Sequence, residues 1–208
     1  QNITDAEAEA LIVRSVELFN EVRENWWQSE GREQGRVYPL CLAGIGPYGA
    51  YLANGAEYRG RYGVSKEVLR QFHARRMELL WNAGADILLI ETQPSLQEAL
   101  LEADLAEQLG ADYWVSFTCG DDTHTWEGDD IRDCAKALSE NHPHLKMIGV
   151  NCVAPHLVSG LIENLKAGCG LPIGVYPNSG ETYDPITKTW SGTKDGVRFG
   201  DYAYRWME

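Results

Sequence analysis

Two reactive side chains in this sequence follow short apolar segments of the kind that form buried strands. Glu91 comes directly after Ile87–Ile90, and Cys152 follows Lys146–Val150 after one asparagine. A carboxylate in such a position can accept hydrogen bonds from a substrate's ammonium group, and a thiolate can act as a nucleophile or a metal ligand. Each has a plain alternative: Glu91 as a solvated loop acid, and Cys152 as a small buried apolar side chain.

The remaining motifs point less clearly to chemistry. Gly44–Gly49 matches the spacing of a dinucleotide-binding loop, but the residues that follow show no helical pattern, and such a loop needs a helix N-terminus to hold a pyrophosphate. A loop that covers a substrate is the better interpretation. His142 and His144 flank a proline between a predicted helix and a predicted strand, which is typical of solvated side chains.

Elements that could position these residues alternate along the chain. Hydrophobic spacing, caps and glycines predict helices over 4–27, 65–83, 95–109, 129–141 and 156–167, and strands over 37–43, 86–90, 113–117, 146–150 and 172–176. The first helix is indicated by a stripe that includes Leu11, Leu18 and Val22, and Ser95 with Glu98 predicts a capping box.

Five strands separated by helices favour a parallel sheet covered on both sides. The spacing leaves two α/β architectures open, a doubly wound sheet or a barrel. In both, functional residues lie beyond the carboxyl ends of the strands. Glu91-Thr92, Asn151-Cys152 and Pro177–Gly180 occupy such positions, which favours an enzyme or a ligand-binding face.

Composition narrows the function classes further. The 208 residues include 31 acidic and 18 basic side chains, a formal charge of −13 that disfavours binding to nucleic acid. No apolar run is long enough to cross a membrane. Five widely spaced cysteines, without a Cys-x-x-Cys pair, indicate free thiols and a cytoplasmic protein. We expect one domain over residues 1–208.

Several short sequence motifs, taken together, indicate a protein family more specifically than any one of them does. They resemble, in the same order, motifs of the homocysteine S-methyltransferase family, over about residues 8 to 192. The strings that carry this resemblance are Gly46–Leu52, Glu57–Gly60, Ala83–Asp86, Glu91-Thr92, Gly149–Cys152 and Val175–Glu181. The first and last are most similar to the branch that uses S-methylmethionine or S-adenosylmethionine as methyl donor.

The resemblance implies a (β/α)8 TIM barrel that binds Zn²⁺, homocysteine and a sulfonium methyl donor, and that forms methionine. Cys152, in the Gly-x-Asn-Cys motif, would be one of three thiolate ligands of the zinc ion. Glu91 would hold the homocysteine amino group, and Asn178 would lie beside the metal. The loop that contains Tyr48 would help to shape the substrate site. Zinc would keep the homocysteine thiol deprotonated near neutral pH.

The chain also departs from the family pattern. Its predicted strands resemble strands three to seven of the barrel, without the opening strand or the final strand with its Gly-Gly-Cys-Cys ligands. No two cysteines here are adjacent, so two expected zinc ligands are absent. This leaves two hypotheses: a methyltransferase represented by an incomplete barrel, or an inactive remnant that binds an amino acid or a partner chain. The oligomeric state stays open.

Overall fold

The computed structural model describes residues 3–184, 186–192 and 199–207. Strands and helices alternate through most of this part of the chain. The strands are β1 (Leu42–Ile45), β2 (Ile87–Gln93), β3 (Tyr113–Phe117), β4 (Leu145–Asn151), β5 (Ile173–Tyr176), β6 (Thr182–Asp184) and β7 (Thr189–Ser191). The helices are α1 (Asp5–Trp26), α2 (Tyr48–Tyr51), α3 (Lys66–Asn82), α4 (Leu96–Leu109), α5 (Ile131–Asn141), α6 (Val158–Gly168) and α7 (Phe199–Trp206).

The order of the strands decides between the two architectures. The main sheet runs β1-β2-β3-β4-β5, and every neighbouring pair is parallel. A doubly wound sheet reverses its order partway across. Here each crossover moves one strand in the same direction, and right-handed crossovers then place all connecting helices on one face. This is the winding of a (β/α) barrel, of which the sheet forms a segment.

The two faces of the sheet differ in the way this winding requires. Ile45, Ile90, Val115 and Ile148 lie side by side in register, and all four are fully buried on the face that the helices cover. The residues between them point to the opposite face, where Gly44 is exposed. The expectation that helices cover both faces is therefore wrong, because the sheet is wound in one direction only.

The first strand begins later than its apolar run suggested. Residues 37–43 were expected to form it, but β1 begins at Leu42, and Val37 is 89% exposed. The segment before β1 is held by side chains instead: Arg23 donates to the carbonyl of Pro39 at 3.0 Å, and Asp86 accepts from the Cys41 amide at 2.6 Å. Hydrophobicity alone did not reveal that these residues lie outside the ladder.

Helix α1 has the predicted span but not the packing that its apolar stripe suggested. Thr4 caps it, with a reciprocal capping box to Glu7. Leu11, Leu18 and Val22 are between 51% and 61% exposed, whereas the buried residue of the helix is Val16, on another face. The helix packs against α3, and that neighbour determines which face is covered.

Beyond β5 the chain forms the antiparallel pair β6–β7 and the short helix α7, which contacts α6. No helix in the described ranges combines the length and the apolar character that crossing a bilayer demands.

Candidate active site at the carboxyl ends of the strands

The carboxyl edge of the sheet brings a carboxylate and a phenol into contact. Tyr176, the last residue of β5, donates a hydrogen bond from Oη to Oε2 of Glu91 on β2 at 3.1 Å. Their strands are three positions apart, about 14 Å in a flat sheet. The contact indicates that the sheet curves and that both side chains lie on its concave face. Burial and the neighbouring Glu91 raise the pKa of Tyr176, so the phenol stays protonated and donates.

Glu91 is half-buried, and its two carboxylate oxygens lie in different surroundings. Oε2 accepts from Tyr176, whereas no described residue donates to Oε1. A Cβ atom added to Gly44 would lie only 2.7 Å from Oε1. The carboxylate therefore occupies space above β1 that only a glycine leaves open, and one of its oxygens is available to a ligand.

Asn151, at the end of β4, connects the second group of site residues. It is almost fully buried, and its Oδ1 accepts from the Thr92 amide at 2.9 Å. Its Nδ2 donates to Oγ1 of Thr92 at 2.8 Å and to Sγ of Cys152 at 3.3 Å. One buried amide thus holds Thr92 within β2 and Cys152, the residue that follows β4.

Both residues that Asn151 holds have an uncommon backbone conformation. The φ angle is 61° at Thr92 and 51° at Cys152, in the left-handed region that favours glycine and is costly for a β-branched residue. Strain of this kind, on the order of 1–3 kcal/mol per residue, persists where the surrounding contacts enforce it, and it concentrates at functional sites. At Thr92 the strained conformation coincides with an irregularity in the β2–β3 register, between Ile90 and Gln93. Irregularities of this kind change the direction of the side chains near them.

Cys152 is half-buried, and its surroundings extend the site towards Asn178. Thr118 donates from Oγ1 to the carbonyl of Cys152 at 3.3 Å, and the Asn178 amide donates to the carbonyl of Val153 at 2.9 Å. The structure therefore places Cys152, Asn178 and Glu91 along one edge of the sheet, as the sequence predicted. Their proposed roles in binding stay predictions.

The other cysteines do not join Cys152. Cys41, Cys119 and Cys134 are buried, Cys169 lies at the end of α6, and all are free thiols. Burial raises the pKa of the Cys41, Cys119 and Cys134 thiols, which keeps them protonated.

Cys152 has the donor chemistry that zinc prefers, but a structural or catalytic zinc site requires three or four protein ligands. Within the described residues, Cys152 is not part of any group of three metal-ligand side chains. The residues present therefore contribute one thiolate and do not by themselves fit a zinc site.

Tyr48 lies apart from these residues. Its ring packs against Tyr51, Tyr62 and Phe72, with centroid distances of 5.1–5.8 Å. Its amide donates to Oε1 of Glu98 at 2.7 Å. The structure thus places Tyr48 against α3 and α4, while Glu91 and Cys152 lie at the strand ends.

Glu98 belongs to a buried ionic network that the sequence did not suggest. His73 lies between two carboxylates, with Nε2 2.9 Å from Oε1 of Glu98 and Nδ1 3.0 Å from Oε1 of Glu102. Arg76 lies 3.1 Å from His73 Nδ1 and donates to the Gly46 carbonyl at 3.1 Å. The predicted capping box at Ser95 is only half formed, because Ser95 accepts from the Glu98 amide while the Glu98 carboxylate turns inward.

His73, Glu98 and Glu102 bring metal-ligand atoms within 4.8 Å of one another. In this geometry, however, the two nitrogens of the one imidazole face different carboxylates, and the Arg76 guanidinium lies beside them. Burial by itself lowers the pKa of His73, but Glu102 and Glu98 outweigh it and raise the pKa to about 9. Burial raises the pKa of Glu102 to about 7. We interpret the group as a buried ionic network around an imidazolium, which attaches the loop after β1 to α3 and α4.

Sequence reasoning missed Tyr176 as a site residue, and it placed Asn151 at a functional strand end without assigning it a role. Both stand at a strand end beside a residue that was singled out, Asn151 before Cys152 and Tyr176 before Pro177. That adjacency was the available indication. Their contacts with Thr92 and Glu91 join residues 59 and 85 positions apart, which spacing along the chain does not reveal.

A parallel sheet that is wound in strand order defines a segment of a (β/α) barrel. Its polar cluster lies at the carboxyl ends of the strands, which is where such barrels carry their active sites. The family model described as homocysteine S-methyltransferase matches residues 1–207. The chain belongs to the homocysteine S-methyltransferase family.

Individual relatives agree with this assignment. The homocysteine S-methyltransferase YbgG of Bacillus subtilis is 43% identical over 209 residues, covering 100% of this chain and 66% of that protein. A selenocysteine methyltransferase of Astragalus bisulcatus is 37% identical, with the same coverage. The crystal structure of the homocysteine methyltransferase MmuM from Escherichia coli, in its metallated form, superposes with a TM-score of 0.82 at 35% identity, over 98% of this chain and 64% of that one. The chain thus spans just under two thirds of these relatives' length.

Proposed function

We propose that this protein takes part in methyl transfer to the thiol of homocysteine, which forms methionine, with S-methylmethionine or S-adenosylmethionine as the donor. Family membership supports the reaction class, and one relative of this chain is named selenocysteine methyltransferase, for a chemically related acceptor. The observation that carries the proposal is the Glu91 carboxylate, which is fixed by Tyr176 at the same sheet edge as Cys152.

The proposed roles follow from the charges of the substrate. Homocysteine carries an ammonium group, and a carboxylate with one uncommitted oxygen is a strong acceptor for it. We assign this role to Glu91. Asn178 is proposed to lie beside the sulfur-binding region, because its amide is bound to the residue after Cys152. For Tyr48 we retain a weaker role, in shaping the loop after β1, since it contacts α3 and Glu98 and not Glu91.

The reaction itself requires an acceptor thiolate and a sulfonium. The sulfur lone pair forms a bond to the methyl carbon while the bond from that carbon to the sulfonium breaks in line. The donor leaves as a neutral thioether, and the proton of the thiol goes to solvent. Transfer between charged reactants depends on alignment, so the contribution of this chain is to orient the acceptor.

Zinc is proposed as the cofactor, with Cys152 as the ligand that this chain contributes. Because the described residues supply one thiolate only, we derive no catalytic step through the metal. The alternative is a protein that binds an amino acid without catalysis, and the single thiolate is the observation that favours it.

All five cysteines are free thiols, which is consistent with the cytoplasmic location that we also propose. We propose further that residues 1–208 form a single homocysteine-binding domain.

Calorimetric titration of the protein with homocysteine tests the binding step without requiring activity. We expect binding to the wild type and a loss of affinity of at least tenfold in Glu91→Gln. Glu24→Gln is the matched control, because Glu24 also accepts from a tyrosine, Tyr38, at 3.0 Å, on an exposed surface. A wild type that does not bind homocysteine would overturn the proposal.

An assay for methionine, with S-methylmethionine and zinc supplied, then separates the two hypotheses. Methionine formation supports the methyltransferase. Binding of homocysteine without methionine formation supports the amino-acid-binding alternative.

A further inference from the structure

The Glu91 carboxylate is held from two sides, by one residue that donates to it and by another that leaves it room. We propose that Tyr176 and Gly44 are positioning residues that direct a single Glu91 oxygen, Oε1, towards an ammonium group. They would thereby make the site selective for thiols that carry an α-amino group. This inference rests on the proposed function and adds its specificity determinants.

Tyr176 acts on the side of Oε2. Its phenol donates to that oxygen at 3.1 Å, and the ring is kept in place by an edge contact with Trp114, 5.4 Å between centroids. Since a glutamate side chain has several rotatable bonds, a hydrogen bond to one oxygen restricts where the other can lie. The half-buried phenol stays protonated, so the donor is present throughout the neutral pH range.

Gly44 acts on the side of Oε1. A Cβ atom there would lie 2.7 Å from Oε1, and the next atom within reach is Glu91 Cδ at 3.8 Å. Replacement by alanine would therefore displace the carboxylate and nothing else. Gly170 provides a control away from the candidate site, because it lies between α6 and β5 and a Cβ atom there would meet no other atom within 4 Å.

The ligand chemistry follows from the one free oxygen. An ammonium group supplies a charged donor, whereas a ligand with hydrogen in its place leaves Oε1 of the half-buried carboxylate without a partner. A site built around a polar contact rejects the analogue that lacks it much more strongly than an apolar site rejects a size change. Homocysteine and 4-mercaptobutanoate, which differ only in the amino group, are therefore the informative pair.

The test is calorimetric titration of both thiols into the wild type and four variants: Tyr176→Phe, Gly44→Ala, and the controls Tyr38→Phe and Gly170→Ala. We expect the wild type to prefer homocysteine. The preference should fall by about tenfold in Tyr176→Phe and in Gly44→Ala, the size expected for losing one hydrogen bond to a charged group. The controls should match the wild type. Thermal unfolding confirms that each variant is folded; if Tyr176→Phe is not, Gly44→Ala decides.

The outcomes separate this inference from the function on which it rests. A wild type that binds neither thiol overturns the proposed function. If the wild type binds homocysteine and Glu91→Gln removes the preference, but Gly44→Ala and Tyr176→Phe keep it, the positioning roles are wrong and the function stands. In the Glu91→Gln background, Tyr176→Phe should cause no further loss, and an additional loss would show that Tyr176 contacts the ligand itself.

Discussion

The side-chain amide of Asn151 donates to the sulfur of Cys152 at 3.3 Å, and the same amide group exchanges two hydrogen bonds with Thr92. A single buried residue thus determines the position of the candidate metal-ligand thiol and stabilises two left-handed backbone conformations. The position of Cys152 depends on a contact across β2 and β4 as well as on the strand that precedes it.

Replacing Asn151 tests this dependence. Asn151→Ala should lower the free energy of unfolding by about 1–3 kcal/mol, because it removes three hydrogen bonds and leaves polar groups without partners. Asn151→Asp keeps the acceptor for the Thr92 amide but loses both donated hydrogen bonds. Its free energy of unfolding should therefore lie between those of the wild type and Asn151→Ala. Urea unfolding measures the effect. Asn164→Ala is the control, since Asn164 bonds two carbonyls at a more exposed position, and an equal loss there would contradict the special role of Asn151.

Glu91→Ala should mainly raise the homocysteine concentration that the protein requires. The loss of a hydrogen bond to a charged group corresponds to about 1.5–3 kcal/mol, or roughly ten- to hundredfold in affinity. Steady-state kinetics or direct titration would show it, with the donor dependence unchanged. An unaltered response to homocysteine would remove Glu91 from the binding site.

Zinc content tests the ligand count. We expect the purified 208-residue protein, at neutral pH with homocysteine present, to retain much less than one zinc per chain, because the described residues offer one thiolate. Elemental analysis by mass spectrometry measures this. Near one zinc per chain would mean that other ligands complete the site. Cys152→Ser should abolish whatever zinc is retained, and Cys169→Ser should not.

The buried network predicts a specific dependence of stability on pH. The pKa of His73 is raised from 6.5 to about 9 by Glu102 and Glu98 despite its burial. A raised pKa means that the folded state holds the proton more tightly, so this contribution is complete below pH 6.5 and is lost as the pH rises through about 9. Chemical unfolding between these values should show falling stability. His73→Gln should flatten the dependence, whereas the exposed His124→Gln should leave it unchanged.

Two valines on α1 test which face of that helix is covered. Val16→Ala removes the equivalent of two buried methyl groups, and should cost about 1.5 kcal/mol of unfolding free energy. Val22→Ala, the same change at a position that is 61% exposed, should cost less than about 0.5 kcal/mol. Equal losses in denaturant unfolding would mean that another surface covers Val22.

The spans of most elements were predictable because their determinants are local. The Ser65 cap and Gly84 bounded α3 to within a residue at each end, and the apolar runs located β2 to β5. The start of β1 was not predictable in this way. Val37 and Leu40 are apolar but exposed, and only pairing with β2 shows where the ladder begins.

By itself the sequence determined the alternation of strands and helices, the family, and the candidates Glu91, Cys152 and Asn178 at one sheet edge, because each depends on neighbouring residues and strand direction. Spacing left a doubly wound sheet and a barrel open, and the family resemblance implied the barrel. The tertiary structure confirmed a barrel segment through its strand order. It alone decided that Tyr176 reaches Glu91, and that Glu98 turns from its cap towards His73. The contact between Tyr176 and Glu91 depends on the curvature of the sheet. The turn of Glu98 towards His73 occurs because a buried charge has a lower free energy beside an opposite charge than alone. Both involve residues that are distant in the chain, so the local sequence does not reveal them.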